Sequence, residues 1–79
     1  MKIFSTVIKV TKYGKTNGTP WCSYTDAFGY PRCGIVRGIF GELEKNTEYN
    51  VVIVVDESKR ATYVIPQTKK VCINEESED

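Results

Sequence analysis

The sequence predicts a small all-β domain, a five-stranded antiparallel barrel. Three observations lead there. Turn residues break the chain every several positions, the stretches between them are rich in β-branched and aromatic side chains, and no segment keeps a helical period over a useful length. At 79 residues there is room for one domain. A domain of this size buries only roughly 60% of the surface its unfolded chain exposes. Closure into a barrel is economical because it removes exposed strand edges.

The first strand is expected from Lys2 to about Tyr13. Phe4, Ile8 and Val10 share one face and Ser5 and Lys9 the other, while Ile3 and Val7 blur the alternation and suggest a bulge. Gly14 to Pro20 (GKTNGTP) reads as a loop. A second strand, Trp21 to Phe28, places Cys22, Tyr24 and Phe28 on one face, and Gly29-Tyr30-Pro31 turns the chain into a third strand, Arg32 to Phe40. Gly34 and Gly38 inside that strand suggest a bulge, a bend or a close backbone approach. Gly41 to Thr47 is a polar connection with room for one helical turn. The fourth strand, Glu48 to Asp56, holds the apolar run Val51 to Val55, which suits burial on both faces. Asp56 to Lys59 is a tight turn into a fifth strand, Arg60 to Ile65, which Pro66 ends or places at an edge. Lys69 to Ile73 is expected as a short last strand, and Asn74 to Asp79 as a disordered acidic tail. Phe4, Phe40 and Tyr49 alternate with aliphatics and are expected in the core.

Composition removes several function classes. There is no histidine, so the usual general base and the partner of a cysteine nucleophile are missing. The three cysteines, Cys22, Cys33 and Cys72, show no C-x-x-C spacing and leave an odd thiol over. They read as free thiols, small buried hydrophobes in a reducing, cytoplasmic compartment. The N-terminal MKIFSTVIKV is too short and too polar for a secretory signal or a membrane span. No phosphate-cradling glycine motif is present. The expectation is a binding protein, not an enzyme, with no cofactor and no metal. Self-association is the stabilising route left to so small a chain, so a homodimer is expected.

The net charge of +1 hides a segregation. Residues 1–25 carry Lys2, Lys9, Lys12 and Lys15 and no acid, whereas Glu75, Glu76, Glu78 and Asp79 close the chain. With those four acids set aside, 11 basic groups face 6 acidic ones. A basic body with an acidic tail suits a protein that handles polyanions, although a solvated tail on an ordinary surface gives the same pattern. Trp21, Tyr24, Phe28 and Tyr30 lie within ten residues, bracketed by Lys12, Lys15, Arg32 and Arg37, with Tyr13 at the edge of the preceding loop. Rings interleaved with cations suit a single strand of nucleic acid, because bases stack on the rings and cations follow the phosphates. Trp21 and Tyr24 fit a core role equally well, and Phe28 and Tyr30 are expected exposed at a hairpin tip. Lys15, flanked by glycines, is the best candidate for a phosphate contact. Nothing in the pattern is placed to read a particular base.

Two motifs carry a resemblance. The stretch from Gly18 to Asp26 (GTPWCSYTD) resembles the G-K-P-Y/W-x-x-x-E segment of filamentous-phage single-stranded DNA-binding proteins of the gene V protein type. Glu48-Tyr49-Asn50-Val51 is similar to that family's G-x-Y-x-V. Thr19 stands where the family carries a basic residue, Asp26 is shorter than the family's Glu, and the connection between strands two and three is compact. The resemblance covers residues 1–73. It implies an OB-like barrel, a two-fold dimer and sequence-independent coating of single-stranded DNA in phage or plasmid replication. Trp21 would then stack on bases, with Lys12 and Lys15 on a DNA-binding loop and Tyr24 and Tyr30 nearby.

The sequence therefore divides into a nucleic-acid-binding domain, 1–73, and an acidic tail, 74–79. The expected site is Lys12, Tyr13, Lys15, Trp21, Tyr24, Tyr30, Arg32 and Arg37, and the expected partner single-stranded DNA or RNA, with the tail contacting replication proteins and no membrane involved. The alternative is a small SH3-like or OB-like protein-interaction module or inhibitor of viral or plasmid origin, whose aromatic cluster faces a protein partner.

Overall fold

In a computed structural model, the structure describes residues 1–70. It is all-β, with five strands in one sheet: β1 (Lys2–Thr16), β2 (Thr19–Thr25), β3 (Pro31–Val36), β4 (Thr47–Asp56) and β5 (Ala61–Lys69). Each strand pairs with two others, so the order β1-β2-β3-β5-β4 closes back on β1. The long β1 makes this possible, because its first half pairs with β4 and its second half with β2, around a bulge between Val10 and Lys12. One pairing corrects the antiparallel expectation. β3 and β5 run parallel over Ile35↔Tyr63 and Val36↔Val64, and just past them the Arg37 amide donates to the Val64 carbonyl at 2.9 Å. Gly34 allows that approach, since a Cβ there would come within 3.0 Å of the Thr62 carbonyl oxygen and of Val64 Cγ2.

The core lies inside the ring: Ile8, Val10, Cys22, Tyr24, Val36, Tyr49, Val51, Ile53 and Val64, all buried, with Leu43 packed against them. The apolar run of β4 alternates. Val51 and Ile53 point inward, whereas Val52 and Val54 are half-buried on the outer side, as period-two side chains require. Tyr49 is buried as expected, but Phe4 and Phe40 are 47% and 37% exposed. Phe40 packs only its edge on Tyr49, with ring centroids 5.5 Å apart. The connection before β4 has no helical turn. Leu43 buries itself there, and the Glu44 amide donates to the Tyr49 hydroxyl at 2.7 Å.

Several boundaries move for local reasons. The expected loop from Gly14 to Pro20 shrinks to a two-residue turn, because Asn17 and Gly18 both take positive φ (51° and 80°), the type I′ geometry that continues a hairpin's twist. Pro66 does not end the last strand. It sits within β5 beside a bulge that leaves Gln67 unpaired, past the short pairing with β3, where its missing N–H costs no ladder bond. The expected strand from Lys69 to Ile73 is thus the end of β5 in part, and its remainder, like Cys72 and the tail from Asn74 to Asp79, lies outside the described residues. Among the described residues, no helix is long and apolar enough to cross a membrane.

Candidate nucleic-acid interface

The β1–β2 hairpin sorts its side chains onto two faces. On the outer face Gly14 pairs with Trp21, and the benzene half of the indole lies over the glycine. A Cβ at Gly14 would stand 2.9 Å from Trp21 Cζ2 and 3.2 Å from Cε2, so only glycine leaves the ring this seat. The indole nitrogen donates to Thr16 Oγ1 at 3.0 Å, and Lys12 Nζ stands 5.8 Å from the ring centroid. The ring is held by glycine on one side and by Thr16 at its nitrogen, the Lys12 ammonium lies over it, and it is half-buried.

From Trp21 an outward row crosses the sheet, Trp21↔Ile35 on β3 and Ile35↔Tyr63 on β5. The Arg37 guanidinium carbon lies 4.9 Å from the Tyr63 ring centroid. A second row runs beside the first, Lys12↔Ser23↔Cys33. Between the rows and the β4–β5 turn lies an open groove of about 520 Å³, lined among others by Trp21, Cys33, Ile35, Lys59 and Arg60. The turn that delivers the two cations is tightly built. Asp56 Oδ1 accepts from the Ser58 hydroxyl at 2.7 Å and from the Ser58 and Lys59 amides at 3.1 and 3.4 Å. These bonds, the Ser58 hydroxyl first, hold the Asp56 carboxyl below its ordinary value. Arg60 takes a φ of 52°, a conformation uncommon for a long side chain, and closes the turn into β5.

The cations around this groove are not neutralised, as Lys2, Lys9, Lys15 and Lys45 elsewhere on the described surface also are not. Among the described residues, the ion pairs are those of Met1 with Glu57, Arg32 with Asp26, Lys69 with Glu44 and Lys70 with Glu48. Lys12, Arg37, Lys59 and Arg60 take part in none of them.

The eight residues expected at the site are therefore divided. Lys12, Trp21 and Arg37 lie on this outer surface. Tyr13 and Lys15 point to the other face of the hairpin, where they line a separate hollow of about 250 Å³ with Val36 and Gly38. Lys15 belongs to β1, not to a loop. Tyr24 is 4% exposed, inside the ring, and burial pushes its hydroxyl pKa up, so no face of its ring is open for stacking. Tyr30 and Phe28 are exposed on the β2–β3 turn, as the sequence suggested. That turn is organised by Asp26. Its Oδ1 accepts from the Phe28 and Tyr30 amides, both at 2.9 Å, and its Oδ2 from Arg32 Nε at 3.0 Å. Arg32 is thereby committed to the turn.

Sequence reasoning missed Cys33, Ile35, Lys59, Arg60 and Tyr63. Lys59-Arg60 ends a tight turn and carried a visible charge signal, but its place beside Trp21 depends on the parallel β3–β5 pairing, which no local pattern announces. The cysteine expectation also splits. Cys22 is buried and its thiol pushed up to about 11, chiefly by desolvation and further by Cys33, whereas Cys33 is exposed in the groove. Among the described residues, no three His, Cys, Asp or Glu side chains gather as a metal site. Comparison with protein-family models, with curated proteins and with solved structures finds no match to this chain.

Proposed function

We propose that this protein binds single-stranded nucleic acid on the outer surface of β2 and β3, as a non-catalytic, sequence-independent coat for single-stranded DNA. One observation carries the reading: Trp21, seated over Gly14 with the Lys12 ammonium above its ring, borders a groove lined by Lys59 and Arg60, and none of these three cations forms an ion pair among the described residues. An indole takes a base in exchange for the Lys12 ammonium that lies over it, and unpaired cations take phosphates. The strand order supports it, because a five-stranded OB-like barrel binds oligonucleotides on strands two and three, between the loops that follow strands one and four.

Titration with oligo-dT, followed through the emission of the single tryptophan, tests the reading. Binding should weaken with salt at a log–log slope of roughly −3, from Lys12, Arg37, Lys59 and Arg60 at about 0.7 each. Duplex of the same length should bind more weakly, since its paired bases have no free face to stack. Absence of binding to oligo-dT at low salt sinks the proposal.

A second reading, a protein-interaction module, draws on the Asp26-braced turn that holds Phe28 at 86% exposure and on Ile39, fully exposed between Gly38 and Gly41. It gains if Trp21 emission ignores saturating oligonucleotide while substitution of Phe28 abolishes a salt-resistant protein complex.

A further inference from the structure

We infer that Tyr63 is a second base platform and that three nucleotides are the shortest ligand to fill the site. They lie across the strands with bases over Trp21, Ile35 and Tyr63 and phosphates along the line from Lys12 to the Lys59–Arg60 turn. The inference rests on the nucleic-acid reading above and adds its geometry.

The two outward rows supply the argument. Trp21, Ile35 and Tyr63 are register partners on three successive strands, so they form a straight apolar line at right angles to the strands. Neighbouring strands stand about 4.8 Å apart, which puts the two ring-bearing positions roughly 10 Å from each other. Two flat-lying bases fit that span, one on each ring, because side by side they need more room than the spacing of about 4.8 Å between neighbouring strands. One nucleotide step does not reach from the first ring to the second, so a third nucleotide lies between them with its base edge-on over Ile35. The second row has cations at its ends and small side chains between them: Lys12 on β1, Ser23 and Cys33 in the middle, and Lys59 and Arg60 just before β5. A polyanionic backbone finds charge at both ends of that track and no bulk in the centre, while its bases fall on the parallel apolar row. One single strand satisfies both rows at once.

Arg37 completes the arrangement. In the free protein its guanidinium covers the Tyr63 ring. A guanidinium over an exposed ring is a weaker contact than a stacked base, so an incoming base displaces it, and the freed cation remains at hand for the next phosphate.

The test is a length series of oligo-dT, from two to eight nucleotides, against the wild type, Tyr63→Ala and Tyr63→Phe. Competition with a labelled octanucleotide gives the affinities, and circular dichroism verifies folding. In the wild type, affinity should rise sharply from two to three nucleotides. Tyr63→Ala should abolish that step and weaken octanucleotide binding about tenfold, whereas Tyr63→Phe should stay within twofold of wild type. Independently of either variant, photo-crosslinking the wild type to 5-iododeoxyuridine trinucleotides should label Tyr63 as well as Trp21. The proposal is overturned if folded Tyr63→Ala keeps the two-to-three step, or if crosslinks form at Trp21 and never at Tyr63. A wild type that ignores the octanucleotide at low salt overturns the underlying reading along with it.

Discussion

The outer surface of the ring has two halves made from similar apolar side chains. Trp21, Ile35 and Tyr63 cross β2, β3 and β5. Val54 and Ile3 continue the same line over β4 and the start of β1, with Val52 and Ile65 beside them. The margins differ. Around β2 and β3, Arg32 is held by Asp26, whereas Lys12, Arg37, Lys59 and Arg60 stand outside the ion pairs of the described residues. Around β4 and the ends of β1 and β5, Lys69, Lys70 and the N-terminal ammonium each lie against a glutamate, at 2.8, 3.5 and 2.9 Å. An outward apolar row is common to both halves. A turn and a hairpin bring four cations, unpaired among the described residues, to the first half, whereas at the margins of the second three cations are each held by a glutamate and Lys2 and Lys9 are not.

The sharpest way to break this contrast is a pair of truncations read by the anisotropy of a labelled oligonucleotide. Trp21→Ala should cost about 1–3 kcal/mol of binding, roughly five- to 150-fold, while Val54→Ala on the other half leaves affinity within about twofold. Equal losses would erase the distinction. A somewhat smaller loss is expected from Gly14→Val. Its side chain collides with the indole and pushes the ring off its seat, so affinity should drop several-fold, about 1 kcal/mol, and tryptophan emission should move to the red. Unchanged emission would mean that the glycine does not position the ring.

Charge can be compared in the same way. Replacing Lys59 and Arg60 together by Gln should flatten the salt dependence by about 1.4 in slope, two contacts at about 0.7 each. Lys69→Gln, which removes a cation already bound to Glu44 at 2.8 Å, should leave the slope unchanged. Thiol chemistry gives a milder probe. At neutral pH an alkylating agent should modify Cys33 and spare Cys22, whose buried thiol titrates only near 11. Bound oligonucleotide should then slow labelling at Cys33, read by peptide mapping; unimpeded labelling would place the ligand elsewhere. The smallest effect concerns the Asp26 turn. Hydrogen bonds from the Tyr30 amide first, then Arg32 and the Phe28 amide, depress this carboxyl below its ordinary value of 3.8. Its contribution is complete above that value and is lost as pH falls through the lower folded-state value. Amide shifts of Phe28 and Tyr30 should follow that acid step, and Asp26→Asn should abolish it.

Much of the fold was legible in the chain because it is written locally. The β-branched run of β4 and the turn residues at Asn17-Gly18 and Gly29 determine where strands run and reverse, although that run suggested burial on both faces and Val52 and Val54 are only half-buried. Three features were hidden because distant partners decide them. Pro66 looks like a terminator until the bulge opposite Asn50 and Val51 is known. Phe4 looks like core until its place at the open start of β1 leaves it 47% exposed. Lys15 looks like a loop residue until the tight turn extends β1 past it. At the candidate site, proximity in sequence gave Trp21, Lys12 and Arg37 but also drew in Tyr24, which shares β2 with Trp21 and points the opposite way by strand alternation. Lys59, Arg60 and Tyr63 required knowing that β5 lies against β3.

That contact, two residue pairs long, is the shortest seam in the ring, against nine pairs between β1 and β4. It should be where the molecule breathes first, with amide hydrogens at Ile35, Arg37 and Val64 exchanging ahead of those in the longer ladders. A nucleotide chain lying from Trp21 to Tyr63 would span this seam like a stitch. Loading the protein should slow exchange there more than anywhere else, since a ligand that grips both sides of the joint binds only its closed form.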